Sequence, residues 1–209
     1  MRFKKFVVLA AALLLSVSLA AAPETPKAEK TALVKELQRS QKLLHDSTKG
    51  LSPEQWSWKP APDRWSVAEC VEHLALAEDL LRSRVTDQVM TSPAMPGKKS
   101  AQQIQQEDAG LAKSLVDRSQ KFQAPEQLRP EKSTFTSGPE ALKAFDQRRA
   151  QAISWLKSEK ETLRDHMADF PTLKDMDAHQ WLLLISLHTE RHTLQAKEVM
   201  ADPKFPKKK

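Results

Sequence analysis

Tyrosine is absent from this 209-residue chain, glycine occurs four times and cysteine once. One cysteine excludes an internal disulfide framework and any cysteine-rich zinc module. Four glycines are too few for a β-rich chain full of tight turns, or for a glycine loop that cradles phosphate. The chain also lacks a long hydrophobic run: Phe6–Leu15 falls short of the ~20 apolar residues a spanning helix requires. An excess of one charge sign is confined to the ends. Of the 33 Lys and Arg, Arg2, Lys4 and Lys5 lie at the start, and Lys204, Lys207, Lys208 and Lys209 at the finish. Setting those seven aside leaves the body within one charge of neutral, so no nucleic-acid-binding face is expected.

What remains is a helical composition rich in Leu, Ala, Lys, Glu and Gln, 40% hydrophobic, enough for one domain with a core. Residues 1–22 combine a cationic start, a short apolar stretch and small residues, the pattern of a secretory signal peptide cleaved after Ala20 or Ala22. No transmembrane span is then left. The expectation is an exported protein, periplasmic or extracellular, with a linker over 23–29, a domain over 30–200 and a basic disordered tail over 201–209.

Within the domain, Leu33, Leu37, Leu43 and Leu44 recur at helical spacing through about Lys49, where Gly50 stops the first helix. Leu51–Trp65 contains Pro53, Pro60, Pro62 and three tryptophans, so it is expected to fold over the core without regular helix. Ser66-Val-Ala-Glu69 is a capping box that opens the second helix, buried through Val67, Cys70, Val71, Leu74, Leu80 and Leu81. Thr91–Gly97 ends it. Residues 101–120 have helical composition with weak amphipathicity, and 123–138 are irregular. A third main helix starts near Pro139, with Leu142, Phe145, Ile153, Trp155 and Leu156 on its apolar side. A break at Asp169–Thr172 precedes a fourth, from about Asp177 to Met200. Its Trp181–Leu187 stretch is apolar nearly all round and must be central. The predicted fold is all-α: a four-helix bundle with a long crossover connection between the second and third helices.

Six histidines are present. At about 100° per residue, His188 and His192 lie about 40° apart on one face of the fourth helix, with Trp181, Leu184 and Gln195. His179 falls on the opposite side. Two histidines so spaced can converge on one divalent cation, but a stable site normally needs a third ligand. His73, a polar residue amid the second helix's apolar positions, is the candidate. Satisfied core histidines are the competing explanation.

Trp65-Ser-Val-Ala-Glu-Cys-Val-Glu-His73-Leu and Gln180-Trp-Leu-Leu-Leu-Ile-Ser-Leu-His188-Thr-Glu-Arg-His192-Thr-Leu-Gln195 resemble the second- and fourth-helix motifs of the DinB-like (DinB/YfiT) superfamily of metalloenzymes. The resemblance covers roughly residues 30–200. It implies a divalent metal held by His73, His188 and His192, chemistry among thiol-dependent transferases and related enzymes, and a homodimer formed through helix faces. The family's His-Pro-x-x-Gly turn reads Phe170-Pro-Thr-Leu-Lys174 here, so a substrate role for that turn is not carried over.

Three neutral imidazoles would leave a metal its full charge and an open position for water, a thiolate or a carbonyl. Zinc is the default; nickel, manganese and iron also suit imidazole. Two weak catalytic candidates stand nearby. Glu69, one turn before His73, could orient a ligand or act as a base, though its capping box accounts for it better. Arg191 could hold an anionic substrate group or form a salt bridge. Gln195 could orient a ligand, and Trp56, Trp58 and Trp65 could roof a pocket or simply pack. Glu190 is expected in solvent and Cys70 in the core. The reading that follows is an exported metal-dependent hydrolase or transferase acting on a small molecule of unknown identity. The alternatives are a non-catalytic metal- or ligand-binding helical module, or an interaction protein with purely structural histidines.

Overall fold

The computed structural model describes residues 26–207, Thr172 excepted. The expected signal segment and the last two lysines lie outside these residues. Four long helices make the bundle: α1 (Pro26–Thr48), α3 (Val67–Arg84), α5 (Gly138–Ser158) and α6 (Ala178–Met200). A short α2 (Pro53–Ser57) lies in the tryptophan segment, and α4 (Ala101–Val116) lies in the crossover. Both α5 and α6 pack on α1 and on α3, which puts α1 and α3 on one diagonal and α5 and α6 on the other. The crossover between α3 and α5 lays α4 against the outside of α6.

Local chemistry sets the boundaries. α1 is helical from Pro26, the first described residue, so it takes in part of the expected linker; proline is tolerated in a first helical turn. The Ser66–Glu69 capping box is formed as predicted: Ser66 Oγ accepts from the Glu69 amide, and the Glu69 carboxylate accepts from the Ser66 amide. The same reciprocal device starts α2 (Ser52, Gln55), α4 (Ser100, Gln103) and α6 (Asp177, Gln180). The α2 box explains a helical turn where the prolines had suggested none. α3 runs into one π-helical turn, Val85–Val89.

Three further expectations are corrected. Leu80, expected on the buried side of α3, is 42% exposed. The break before α6 is an antiparallel hairpin, β1 (Met167–Phe170) with β2 (Leu173–Asp177), whose register shifts between Ala168 and Phe170. Asp175 there is left-handed, at φ 50°. The segment expected as a disordered tail packs as far as Pro206: the Phe205 ring meets Trp58 edge-on at 5.5 Å, and Gln55 Nε2 donates to Pro206 O.

The core has two parts. One, around Trp181, Leu182, Ile185, Leu33, Leu37 and Leu156, fills the end near the hairpin. The other joins Val67, Cys70, Val71 and Leu74 to Phe145, Trp56 and Ala196. As its composition predicts, α6 is central and buried on most sides.

Candidate metal centre

α6 carries His188 and His192 one turn apart, and packing of α3 on α6 brings His73 against both. The ring centroids of His73 lie 4.9 Å from those of His188 and 4.4 Å from those of His192; the two α6 rings are 4.6 Å apart. His73 Nε2 is 3.1 Å from His188 Nε2, and one ligand-capable nitrogen from each ring lies within 4.8 Å of the others. Two nitrogens each about 2.0–2.1 Å from a common zinc lie up to about 4 Å apart, a spacing that the His73–His188 pair meets and that the whole group, within 4.8 Å, approaches. Among the described residues, this close group contains three imidazoles and no carboxylate.

Hydrogen bonds on the far side of two rings fix their protons. His73 Nδ1 is 2.7 Å from Leu128 O, and a carbonyl can only accept, so Nδ1 carries the proton and Nε2 the lone pair. His192 Nδ1 faces Gln195 Oε1 at 2.8 Å with the same consequence. Burial, above all, holds all three imidazoles below their ordinary pKa. His188 is lowered further by His73, Arg191 and Arg149, and His192 by its two neighbouring rings. Neutral imidazoles with inward lone pairs are the form a metal requires. Trp65 covers one side, its ring 5.0 Å from His73 and stacked on His192 at 5.9 Å.

The other candidates are distributed as follows. Glu69 is committed to its capping box and to Lys59, at 2.8 Å. Among the described residues Arg191 is paired with backbone carbonyls rather than with a carboxylate. It is 5% exposed, its Nη1 donates to Leu115 O and Asp117 O at 3.0 and 2.7 Å, and Nη2 donates to Gln120 O. It clamps the crossover to α6, taking up the Leu115 carbonyl in the last turn of α4, where intrahelical donors run out, and two carbonyls beyond it. Gln195 orients a histidine. Of the tryptophans only Trp65 reaches the rings; Trp56 packs so closely that a Cβ on Gly138 would lie 2.2 Å from it. Cys70 is fully buried, its thiol pushed up by desolvation. Glu190 is half-buried rather than free in solvent, because Arg39 of α1 reaches it at 2.5 Å. His179 lies apart, as its helical phase predicts, 3.9 Å from Asp108.

Sequence reasoning missed three supporting groups: the Leu128 carbonyl, Arg118, and the buried Arg149–Glu78 pair behind His188. Arg149 donates to both Glu78 oxygens, to Ser40 Oγ at 2.9 Å and to Thr189 Oγ1 at 2.8 Å. A signal for it existed, since Arg149 sits in phase with Phe145, Ala152 and Leu156 on the apolar face of α5.

Comparison with known proteins agrees with this architecture. YuaE of Bacillus subtilis, an uncharacterised protein, is 28% identical over 151 residues, which span 72% of this chain and 86% of its own. The solved structure of YfiT from Bacillus subtilis, described as a probable metal-dependent hydrolase with an unusual four-helix bundle topology, superposes with a TM-score of 0.55. That match covers 87% of this chain and 91% of YfiT at 13% identity, and establishes the shared fold. Residues 36–196 match the family model of the DinB superfamily, and the chain belongs to that family.

Proposed function

We propose that His73, His188 and His192 hold one divalent metal ion, and that the protein is a metal-dependent hydrolase of a small molecule. The observation that carries this reading is the convergence of three imidazoles without a carboxylate among them, two of which, His73 and His192, have their outward protons fixed and their inward nitrogens left as lone pairs. The description of YfiT as a probable metal-dependent hydrolase supports the reaction class. Zinc is the default ion and nickel, manganese or iron equally suit three imidazoles. When bound, such an ion supplies Lewis-acid chemistry, polarising a carbonyl or acidifying water.

The chain's own residues do the rest. Leu128 O and Gln195 keep two rings in their ligating tautomers. Trp65 excludes water from one side, and Arg191 holds the crossover beside the centre. Export through residues 1–22 accompanies this reading. It favours hydrolysis over transfer from the low-molecular-weight thiols of the cytoplasm. The absence of a carboxylate from the close group favours a second reading, a metal-binding module without turnover.

Elemental analysis of the purified, zinc-loaded protein decides the metal assignment, with one equivalent expected and none contradicting it. Screening the loaded protein against esters, amides and thiol–electrophile pairs separates the two readings. Turnover that disappears in His188→Ala identifies the enzyme; no turnover in any assay with metal bound identifies the module.

A further inference from the structure

The crossover does more than pass by the histidines. Arg118, two residues beyond the end of α4, directs Nε and Nη2 at the Glu198 carboxylate, at 3.1 and 2.9 Å, and Nη1 at Gln195 Oε1, at 3.4 Å. The same Gln195 oxygen faces His192 Nδ1. A guanidinium has only N–H groups to offer, so the amide atom turned toward it must be the oxygen. Flipping the amide would set its NH2 against the guanidinium. With the oxygen held there, His192 Nδ1 must bear the proton, and Nε2 is the nitrogen left for the other two rings.

We propose that Arg118 is a positioning residue of the metal centre: through Gln195 it locks His192 in the Nδ1–H tautomer, which leaves Nε2 free for a cation. The proposal rests on the metal reading above. It makes the crossover part of the centre, since Leu128 O, in the same connection, does for His73 what Arg118 and Gln195 do for His192.

A positioning role and a purely electrostatic one predict opposite signs. A guanidinium acting only by its charge repels a divalent ion, so removing it would tighten binding. Removing a positioning group weakens binding, by about 10–100-fold where a ligand's hydrogen-bond partner is lost. The test uses the full chain and the variants Arg118→Met, Gln195→Leu and Gln195→Glu, each first shown to be folded by circular dichroism. Two-bond 1H–15N correlation spectra of the metal-free proteins report the His192 tautomer, and zinc titration reports affinity.

The wild type should show one Nδ1–H form. Arg118→Met and Gln195→Leu should add the Nε2–H form and weaken zinc about 10–100-fold. Gln195→Glu, which can still accept from both partners, should keep the Nδ1–H form. An unchanged His192 tautomer in Arg118→Met, or tighter zinc binding, overturns the proposal. If the wild type binds no zinc, the metal reading fails, yet the metal-free spectra still decide whether Arg118 sets the tautomer.

Discussion

Two buried histidine environments lie on the same helix, and they differ in what surrounds them. Near the start of α6, His179 sits among charges of both signs. Arg164 pairs with Asp108 at 2.7 Å, Asp177 at 3.1 Å and Glu29 at 3.1 Å, while His179 Nδ1 lies 3.9 Å from Asp108. Burial and the adjacent Arg164 bring the His179 pKa down to about 3. About two and a half and three and a half turns later, His188 and His192 meet His73 with no carboxylate among them. The charges around His179 pair with one another through Arg164, and His179 Nδ1 itself has no hydrogen-bond partner among the described residues. A cluster of inward-facing acceptors is completed by a cation, and that difference separates a structural histidine from a ligand.

The largest expected effect breaks the second environment and spares the first. His188→Ala or His73→Ala should lower zinc affinity at least about 100-fold, beyond the loss of a supporting hydrogen bond alone. His179→Ala should leave metal content unchanged, as measured by elemental analysis. A loss of metal in His179→Ala would erase the distinction.

Pairing of opposite charges is tested next at Glu78 and Arg149, which are 2% and 0% exposed. Glu78→Ala strands a buried guanidinium and should destabilise the protein by about 3–5 kcal/mol in urea unfolding. A change below about 1 kcal/mol would show that the pair is not a structural anchor.

Acidity sharpens the comparison. The fold holds His73, His179, His188 and His192 neutral, whereas the unfolded chain protonates them below about pH 6.5. Their contribution is complete above that pH and is lost as pH falls. Asp177 acts in the opposite sense. Burial raises its carboxyl to about 6, so the fold takes up a proton and gains stability as pH falls from about 6 toward 4. Four groups outweigh one, and the metal-free melting temperature should fall between pH 7 and 5. A flat profile would contradict the tight burial of the rings.

The smallest effect is expected at Glu69. Glu69→Gln keeps a side chain that can cap Ser66, so it should cost less than about 1 kcal/mol and leave zinc affinity unaltered. A large loss of metal would restore Glu69 to the centre.

Much of this arrangement was legible in the sequence because it is periodic. The phase of His188 and His192 relative to Trp181 and Leu184, and the exclusion of His179, follow from helical spacing alone. Ser66 announced the start of α3 through its capping box. The hairpin was not legible: Met167–Phe170 and Leu173–Asp177 are short, lack apolar alternation, and the second strand contains a left-handed residue, Asp175. The crossover's part in the centre was hidden for another reason. Leu128 acts through a backbone carbonyl and Arg191 binds three more, and carbonyls carry no residue-specific signal. Arg191 therefore read as a charge seeking a charge.

The central claim is tested most directly by X-ray absorption on the zinc-loaded protein beside His188→Ala. The account predicts one zinc per chain with three imidazole nitrogens at about 2.0–2.1 Å in the wild type, and loss of that signature in the variant. A wild-type protein that retains no zinc, or one whose zinc environment is identical in His188→Ala, would contradict it.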